Sequence, residues 1–390
     1  TSRSIYQYEQ MKKFVFIFFL SLLFISNHKE AYSQTFKKYF VDSTDHAFDM
    51  SKFLATRIGL MPVPFIITEP AVGYGGGLGL IFFHRTREER ETGEFSKLPP
   101  SLTMVAGLYT ENGTWMGMVG HQGSYRKDHI RYLGAIGYTN LNTTFYGTGK
   151  IFQDLAIDFN LSGFLLFQEL LFRIKRTNLF LGANYSFFAS SAKFYPGFNI
   201  PDLEELKTDV YNGGINAVVQ YDTRDNIFTP NKGFFTALQI GYYGPELGGD
   251  RSYQNLDWRN YYWVPAVKEK LIGGFRFQGT YRWGDVPFYN LPFIQLRGIP
   301  ALRYQGNVAL VGETEWRWNV WRRWSLIGFA GSGWASNEWV DLHLDEAKIT
   351  YGTGFRYFIA REYGMHVGLD FAWGPDDFIW YITMGTAWFR

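Results

Sequence analysis

The sequence predicts an all-β fold, a transmembrane antiparallel β-barrel of about sixteen strands with one long loop folded inward. Three observations carry that prediction. The 390 residues include 37 Phe, 26 Tyr and 13 Trp, yet mean hydropathy is only −0.17. The only long apolar run lies near the N-terminus, and it falls short of the roughly 20 residues that a membrane helix needs. Elsewhere, short segments alternate aromatic or aliphatic residues with Gly and polar ones, the period of a strand whose two faces meet different surroundings. A soluble sandwich also alternates, but its outer face is not the one rich in Trp and Phe.

Taken in order, Met11 is followed by Lys12 and Lys13, an apolar run from Phe14 to Ile25, and Ala31-Tyr32-Ser33. That is the layout of a cleaved secretory signal. Residues 1–33 are therefore set apart from the fold, 34–59 read as a polar periplasmic linker, and 60–390 as the barrel. Strand-like segments fall at 60–68, 71–84, 101–110, 114–125, 129–138, 155–172, 177–190 and 210–221. Eight more follow at 233–243, 253–264, 271–283, 307–320, 323–335, 348–358, 363–373 and 378–388. An even number is what a bacterial barrel requires. The longer connections, 85–100, 139–154, 191–209 and 284–306, are expected on the extracellular side and the tight turns on the periplasmic side.

Alternation also assigns faces. Val308, Leu310, Trp316 and Trp318 share one side of their strand, and Glu313, Glu315 and Arg317 share the other. The charged set must look into a wet lumen. By the same reading Arg356, His366 and Asp370 line the lumen, while Trp380, Ile382, Met384 and Trp388 face lipid. The first strand carries Pro62 and Pro64, and proline cannot donate to a ladder. Either these residues mark a weak seam where first and last strands meet, or they end the linker and the first strand starts later.

Several function classes are unsupported. Formal net charge is +2, spread along the chain without a basic stripe, so nothing points to nucleic acid. Cysteine is absent, which removes disulfides, thiol catalysis and cysteine metal sites. The seven His show no metal-binding spacing, and a Gly-x-Ser-x-Gly elbow is missing. His366 and Asp370 sit on one strand face, where lining a polar lumen explains them more simply than catalysis. Asp341, Asp345 and Glu346 read as a solvated acidic turn rather than a cation site. Neither enzymatic activity nor a cofactor is expected.

Three stretches resemble the barrel of the BamA/TamA outer-membrane assembly factors, the bacterial surface antigen family. Asp222, Arg224, Asp225, Pro230 and Gly233, within Gln220 to Gly233, are similar to the family's strand-turn-strand segment. Leu296-Arg297-Gly298-Ile299 is similar to its Val-Arg-Gly-Phe signature on a loop that folds back into the lumen. Gly354-Phe355-Arg356 and Gly368-Leu369-Asp370 resemble its closing strands. The residues agree with the loop assignment: Pro287, Phe288, Leu291, Pro292, Phe293 and Ile294 suit a packed lumen better than water. A guanidinium buried there needs a carboxylate. Alternation offers Glu313 and Glu315, and the resemblance points to Glu315. The family's second acid is replaced here by Gly331, with Asp370 or Glu313 as substitutes.

The resemblance implies an outer-membrane protein in contact with lipids, and with protein partners of an assembly or export complex. Family members carry periplasmic POTRA modules before the barrel, which some twenty-five linker residues cannot encode, so a member without them is expected. The function expected is help in the insertion, folding or export of proteins or lipids. The alternatives are a passive or gated channel and a structural scaffold for a surface or periplasmic partner.

Overall fold

The computed structural model describes residues 39–56, 60–84, 101–146, 156–195, 206–341 and 343–388. The signal sequence and the 85–100 connection lie outside them. Sixteen strands follow one another: β1 (Leu60–Ile67), β2 (Gly75–His84), β3 (Ser101–Thr110), β4 (Trp115–Tyr125), β5 (Ile130–Tyr146), β6 (Ala156–Arg173), β7 (Leu179–Tyr195) and β8 (Leu206–Asp222). Then come β9 (Gly233–Tyr243), β10 (Tyr253–Val267), β11 (Leu271–Gly284), β12 (Val308–Trp321), β13 (Trp324–Ser336), β14 (Lys348–Ala360), β15 (Met365–Trp373) and β16 (Phe378–Met384). Each pairs antiparallel with its neighbours in chain order, as short connections favour.

With strict up-and-down order, connections alternate between two ends. One end collects the tight turns, among them 322–323 and 361–364, and the other the long loop 285–307. By that parity β2 finishes and β3 starts at the turn end. The strand ends His84 and Ser101, which flank the connection 85–100 expected among the extracellular loops, therefore lie at the same end as the tight turns.

The alternation sorts as a membrane barrel requires. Outward positions expose apolar side chains along the wall, aliphatic ones such as Val105, Ile136 and Ile240 and, on β10 to β12, the aromatics Trp258, Phe275, Phe277 and Trp316. Aromatics flank them at both ends: Tyr125, Phe172, Trp321 and Trp324 towards the turns, and Tyr109, Trp115, Trp283 and Trp373 towards the loops. Such girdles mark the two interfaces of a bilayer. On β12, Trp316 and Trp318 are exposed while Glu313 and Arg317 are buried. Val308, read as lipid-facing, is instead buried at the loop end.

The wall has uneven height. β6 has 18 residues and β5, β7 and β8 have 17 each, whereas β1 has 8 and β16 has 7. Among the described residues fifteen neighbouring pairs share ladders, but β1 and β16 do not. Across their junction Thr68 donates its hydroxyl to the Trp380 carbonyl. Both prolines belong to β1, opposite Leu80 and Leu78. Their equal parity puts both missing N–H donors on one edge. Because the ladder with β2 is continuous from Leu60 to Ile67, that edge is the seam.

Among the described residues, four pieces of chain enter the lumen. The loop 285–307 enters from its own end, and Ile294, Leu296 and Ile299 pack against Val311. The turn 223–232 reaches from β8 and β9 to the far wall, where Asn226 donates to the Tyr363 carbonyl at 2.8 Å. The third is the C-terminal tail. The last strand, expected to continue to 388, ends at Met384 because Gly385 turns the chain at φ +75°, leaving its N–H on the His366 carbonyl at 2.7 Å. Trp388, expected to face lipid, is consequently buried inside against Trp263, Tyr261 and Phe235.

The fourth is the N-terminal segment. Residues 39–56 were expected as part of a linker, but they pack onto the barrel and include one short helix, α1 (Ser51–Thr56). Arg323, in the two-residue turn after β12, is gripped by Asp42 at 2.6 Å, Asp45 at 2.6 Å and Asp49 at 2.5 Å. Met50 donates to the Ile359 carbonyl at 2.8 Å, and Met50 and Phe53 join Val63, Ile81 and Met365 in one apolar cluster. This segment therefore touches both sides of the seam, β1 and β2 on one hand and β14 and β15 on the other.

Candidate functional site

The site is the ionic cluster where the loop 285–307 meets the closing strands. Gly298 follows Arg297 with φ +92°, and a Cβ there would meet the Gly374 nitrogen at 2.9 Å. Glycine thus lets the loop press against the β15–β16 connection. The Gly298 N–H donates to the Tyr381 hydroxyl at 3.0 Å, and Ala301 N–H donates to Glu69 at 2.9 Å. Leu296 and Ile299 fill the apolar side. So seated, the Arg297 guanidinium points at the wall with only 3% of its side chain exposed.

Three acids meet it. Its Nε donates to Glu313 Oε1 at 2.8 Å, and Nη1 donates to Glu315 Oε2 at 2.6 Å and to Asp370 Oδ2 at 3.0 Å. The guanidinium also lies 3.6 Å from the Phe329 ring centre, a cation–π contact. Burial alone would ease the loss of its proton. The carboxylates of Glu313, Glu315 and Asp370 outweigh that and raise its pKa. The resemblance named Glu315 as partner, and the structure places Glu313 and Asp370 on the same guanidinium.

Gly331 explains why an acid elsewhere is needed. A Cβ at 331 would fall 2.8 Å from Leu296 and 3.0 Å from the Gly312 carbonyl, so a carboxylate cannot stand there without moving the loop. Asp370, two strands along, reaches the same arginine instead. It is fully buried and is held from behind by Arg356, at 2.6 Å and 2.9 Å, and by Thr383 at 3.0 Å. Glu313 is likewise shared, accepting from Arg276 at 3.3 Å and from Trp388 Nε1 at 2.8 Å. Loop, wall and C-terminal tail therefore meet on two carboxylates.

The remaining residues singled out from sequence lie around this cluster. Arg317 is buried and donates to Asn231 on the 223–232 turn. His366 stacks on Phe358 with 4.5 Å between ring centres, and its backbone N–H donates to Thr229 at 3.3 Å. Both contacts are structural. Asp222 takes the Arg224 fork at 2.8 Å and 2.9 Å and accepts from Arg131 at 3.3 Å. Asp225 Oδ1 caps the turn, accepting from Asn231 N–H at 2.9 Å and Lys232 N–H at 3.2 Å. Pro230 is buried beside Arg317. Gly233, at φ +113°, lets the chain pass Thr223, whose carbonyl a Cβ would meet at 2.4 Å.

Sequence reading missed Arg276, Phe329, Tyr381, Thr383 and Trp388. Arg276 stands opposite Glu313 in the β11–β12 register, so counting across the turn would have found it. Nothing local announces Trp388, because its place depends on the bend at Gly385. Among the described residues no group of His, Asp and Glu is arranged to hold a metal ion.

Comparison with known proteins agrees with this architecture. Residues 129–295 match the Omp85 superfamily domain. The fold is similar to BamA from Haemophilus ducreyi lacking POTRA domains 1–3, at 12% identity and TM-score 0.55, over 90% of this chain and 77% of that one. It is also similar to CdiB from Acinetobacter baumannii, at 10% identity and TM-score 0.55, over 84% and 59% of the two chains. CdiB from Escherichia coli aligns at 9% identity and TM-score 0.56, over 82% and 61%. The chain thus spans about three-fifths of the CdiB chains that it resembles. No curated protein sequence matches it.

Proposed function

We propose that this chain is an outer-membrane barrel that assists the insertion, folding or export of other proteins or lipids, and that the seam between β1 and β16 is where it acts. The observation that carries the reading is the missing ladder at that one junction. A strand edge with free N–H and C=O groups is a template for another strand. Here one edge is β1, whose Pro62 and Pro64 remove two donors, and the other is the seven-residue β16. Few hydrogen bonds stand between a closed and a parted seam.

The ionic cluster supplies what such a seam needs from the rest of the wall. Arg297 ties the loop to β12 and β15 through buried charge pairs, so the lumen stays filled while the seam edges remain weakly held. A lumen occupied by loop, turn, N-terminal segment and tail favours this reading over a passive channel. The acids of the cluster are engaged by Arg276, Arg297 and Arg356, and the His366 ring stacks on Phe358, which favours a mechanical role over a catalytic one.

The chain has no cysteine of its own, so a designed cross-link is unambiguous. Thr68→Cys with Trp380→Cys bridges the seam where the Thr68 hydroxyl meets the Trp380 carbonyl. In cells that depend on this protein, oxidation is expected to lower the assembled amounts of its client outer-membrane proteins severalfold, with recovery on reduction. Quantitative cross-linking with undiminished client levels would remove the seam from the mechanism.

A further inference from the structure

Charge that is spread along the sequence becomes sorted by the fold, and we infer that the turn end is a docking surface for a leaflet of anionic phospholipid. The inference rests on the membrane-barrel reading above and adds the headgroup chemistry. At the turn end Arg126, Lys127, Lys175, Arg176, Lys270 and Arg322 are exposed, while Lys268 stands 4.0 Å from Glu269 and Arg361 is paired with Asp42. Only Asp225, Glu269 and Glu362 are exposed acids among the described turn-end connections. The loop end is the reverse. Glu111, Glu246, Asp250, Asp285, Glu338 and Asp376 are exposed there. Arg251 and Arg303, in the loop-end connections, are paired with Asp285 and Asp376.

Backbone geometry gives a second, independent observation. Arg126, Lys127, Lys175 and Arg322 have φ of 52°, 57°, 51° and 45°, in the left-handed region, four of the six such residues in the described turn-end connections, with Asp128 at 63° and Glu269 at 60° the others. Tight turns of that shape favour Gly or Asn, which reach it at least cost. Long cations held at such positions serve something other than the turn. Their neighbours say what: Tyr125 precedes Arg126, Phe172 lies three residues before Lys175, and Trp321 precedes Arg322, and all three rings are exposed on the outer wall. Arg322 lies 5.3 Å from the Trp321 ring centre. Aromatic rings mark the depth of the headgroups, so the cations beside them stand at the level of lipid phosphate. Basic groups near an anionic surface are drawn to it, and salt screens the attraction. An acidic protein would match the charge, but it would give no reason for the outward ring of aromatics at the same height.

The test measures lipid retained by the folded, detergent-purified barrel from an equimolar mixture of phosphatidylglycerol and phosphatidylcholine, by mass spectrometry. Phosphatidylglycerol is expected to be enriched at least about threefold at low salt. At 0.5 M salt, where the Debye length is about 4 Å, the preference should largely vanish. Replacing Arg126→Asn, Lys127→Asn, Lys175→Asn and Arg176→Gln together should abolish the preference without loss of the folded band on unheated gels, since Asn suits the left-handed positions. Neutralising Glu338, Asp341, Asp345 and Glu346 instead should leave the preference intact. Equal retention of the two lipids by the native barrel, or enrichment that survives the turn-end substitutions, would overturn the inference, as would an acidic protein binding there with no lipid preference. Retention of no lipid at all would instead count against the membrane reading on which it rests.

Discussion

Arg297 shows how much one side chain can be asked to hold. A buried guanidinium is costly in isolation, and its worth lies in the geometry of its partners. Here one loop residue satisfies three carboxylates from β12 and β15. Arg297→Ala should therefore leave Arg276 as the one cation on Glu313, Arg356 as the one cation on Asp370 and Glu315 with no ion pair among the described residues, at a cost of about 3–5 kcal/mol. The expected readout is a lower temperature for loss of the folded band on gels; an unaltered profile would remove the cluster as a source of stability. Arg297→Lys should recover only part, because an ammonium cannot present a fork to two acids. Much of this was legible, since alternation along 308–318 placed Glu313 and Glu315 on one face and loop composition pointed Arg297 inward. Asp370 and Trp388 were not, because their approach depends on strand register and on a bend far along the chain.

Among the elements, the N-terminal segment has the most to say about regulation. It is held through Arg323 by carboxylates whose protons are easily lost. Asp45 is held down to about 2, chiefly by its hydrogen bond from Arg323. Burial opposes ionisation of Asp42 and Asp49, but hydrogen bonds from Thr44 and Arg361, and from Ser51 and Arg323, prevail and lower both. A released aspartate titrates near 3.9, so the docked form is favoured fully above about pH 4 and progressively less as pH falls towards about 2. Pepsin should accordingly cut within 39–56 at pH 2 and spare it at pH 4.5. Arg323→Gln should expose the same bonds to a neutral protease at pH 7, and full protection of that variant would mean that the apolar contacts of Phe53 suffice. No periodic signal reveals such an element, because 34–59 is too polar and irregular to read as anything but linker. Strands are the opposite case. All sixteen were legible, but β5, β7 and β8 run into the expected loops, to Tyr146, to Tyr195 and from Leu206, and the last was overrun because Trp388 keeps the parity of lipid-facing residues past the Gly385 bend.

Across the whole molecule the decisive quantity is wall height. At about 3.4 Å per residue and a tilt near 45°, the 18 residues of β6 rise about 43 Å, whereas the 7 of β16 rise about 17 Å. An apolar band of about 25 Å is covered amply by the first and not by the second. The bilayer must thin beside the seam or leave its backbone groups poorly sheltered, and unsheltered groups in lipid are expensive. Both routes concentrate disorder at β1 and β16, where ladder bonds are fewest, and spare β5 to β8. Hydrogen exchange of the barrel in bilayers should therefore be fastest in β1 and β16 and slowest in β5 to β8. Lengthening the acyl chains from about 12 to about 18 carbons should quicken exchange at the seam while leaving the tall wall unchanged, because only the short strands are mismatched. Uniform protection around the barrel, or a seam indifferent to lipid length, would mean that the lumen plug and the N-terminal segment brace β1 and β16 as firmly as a ladder would.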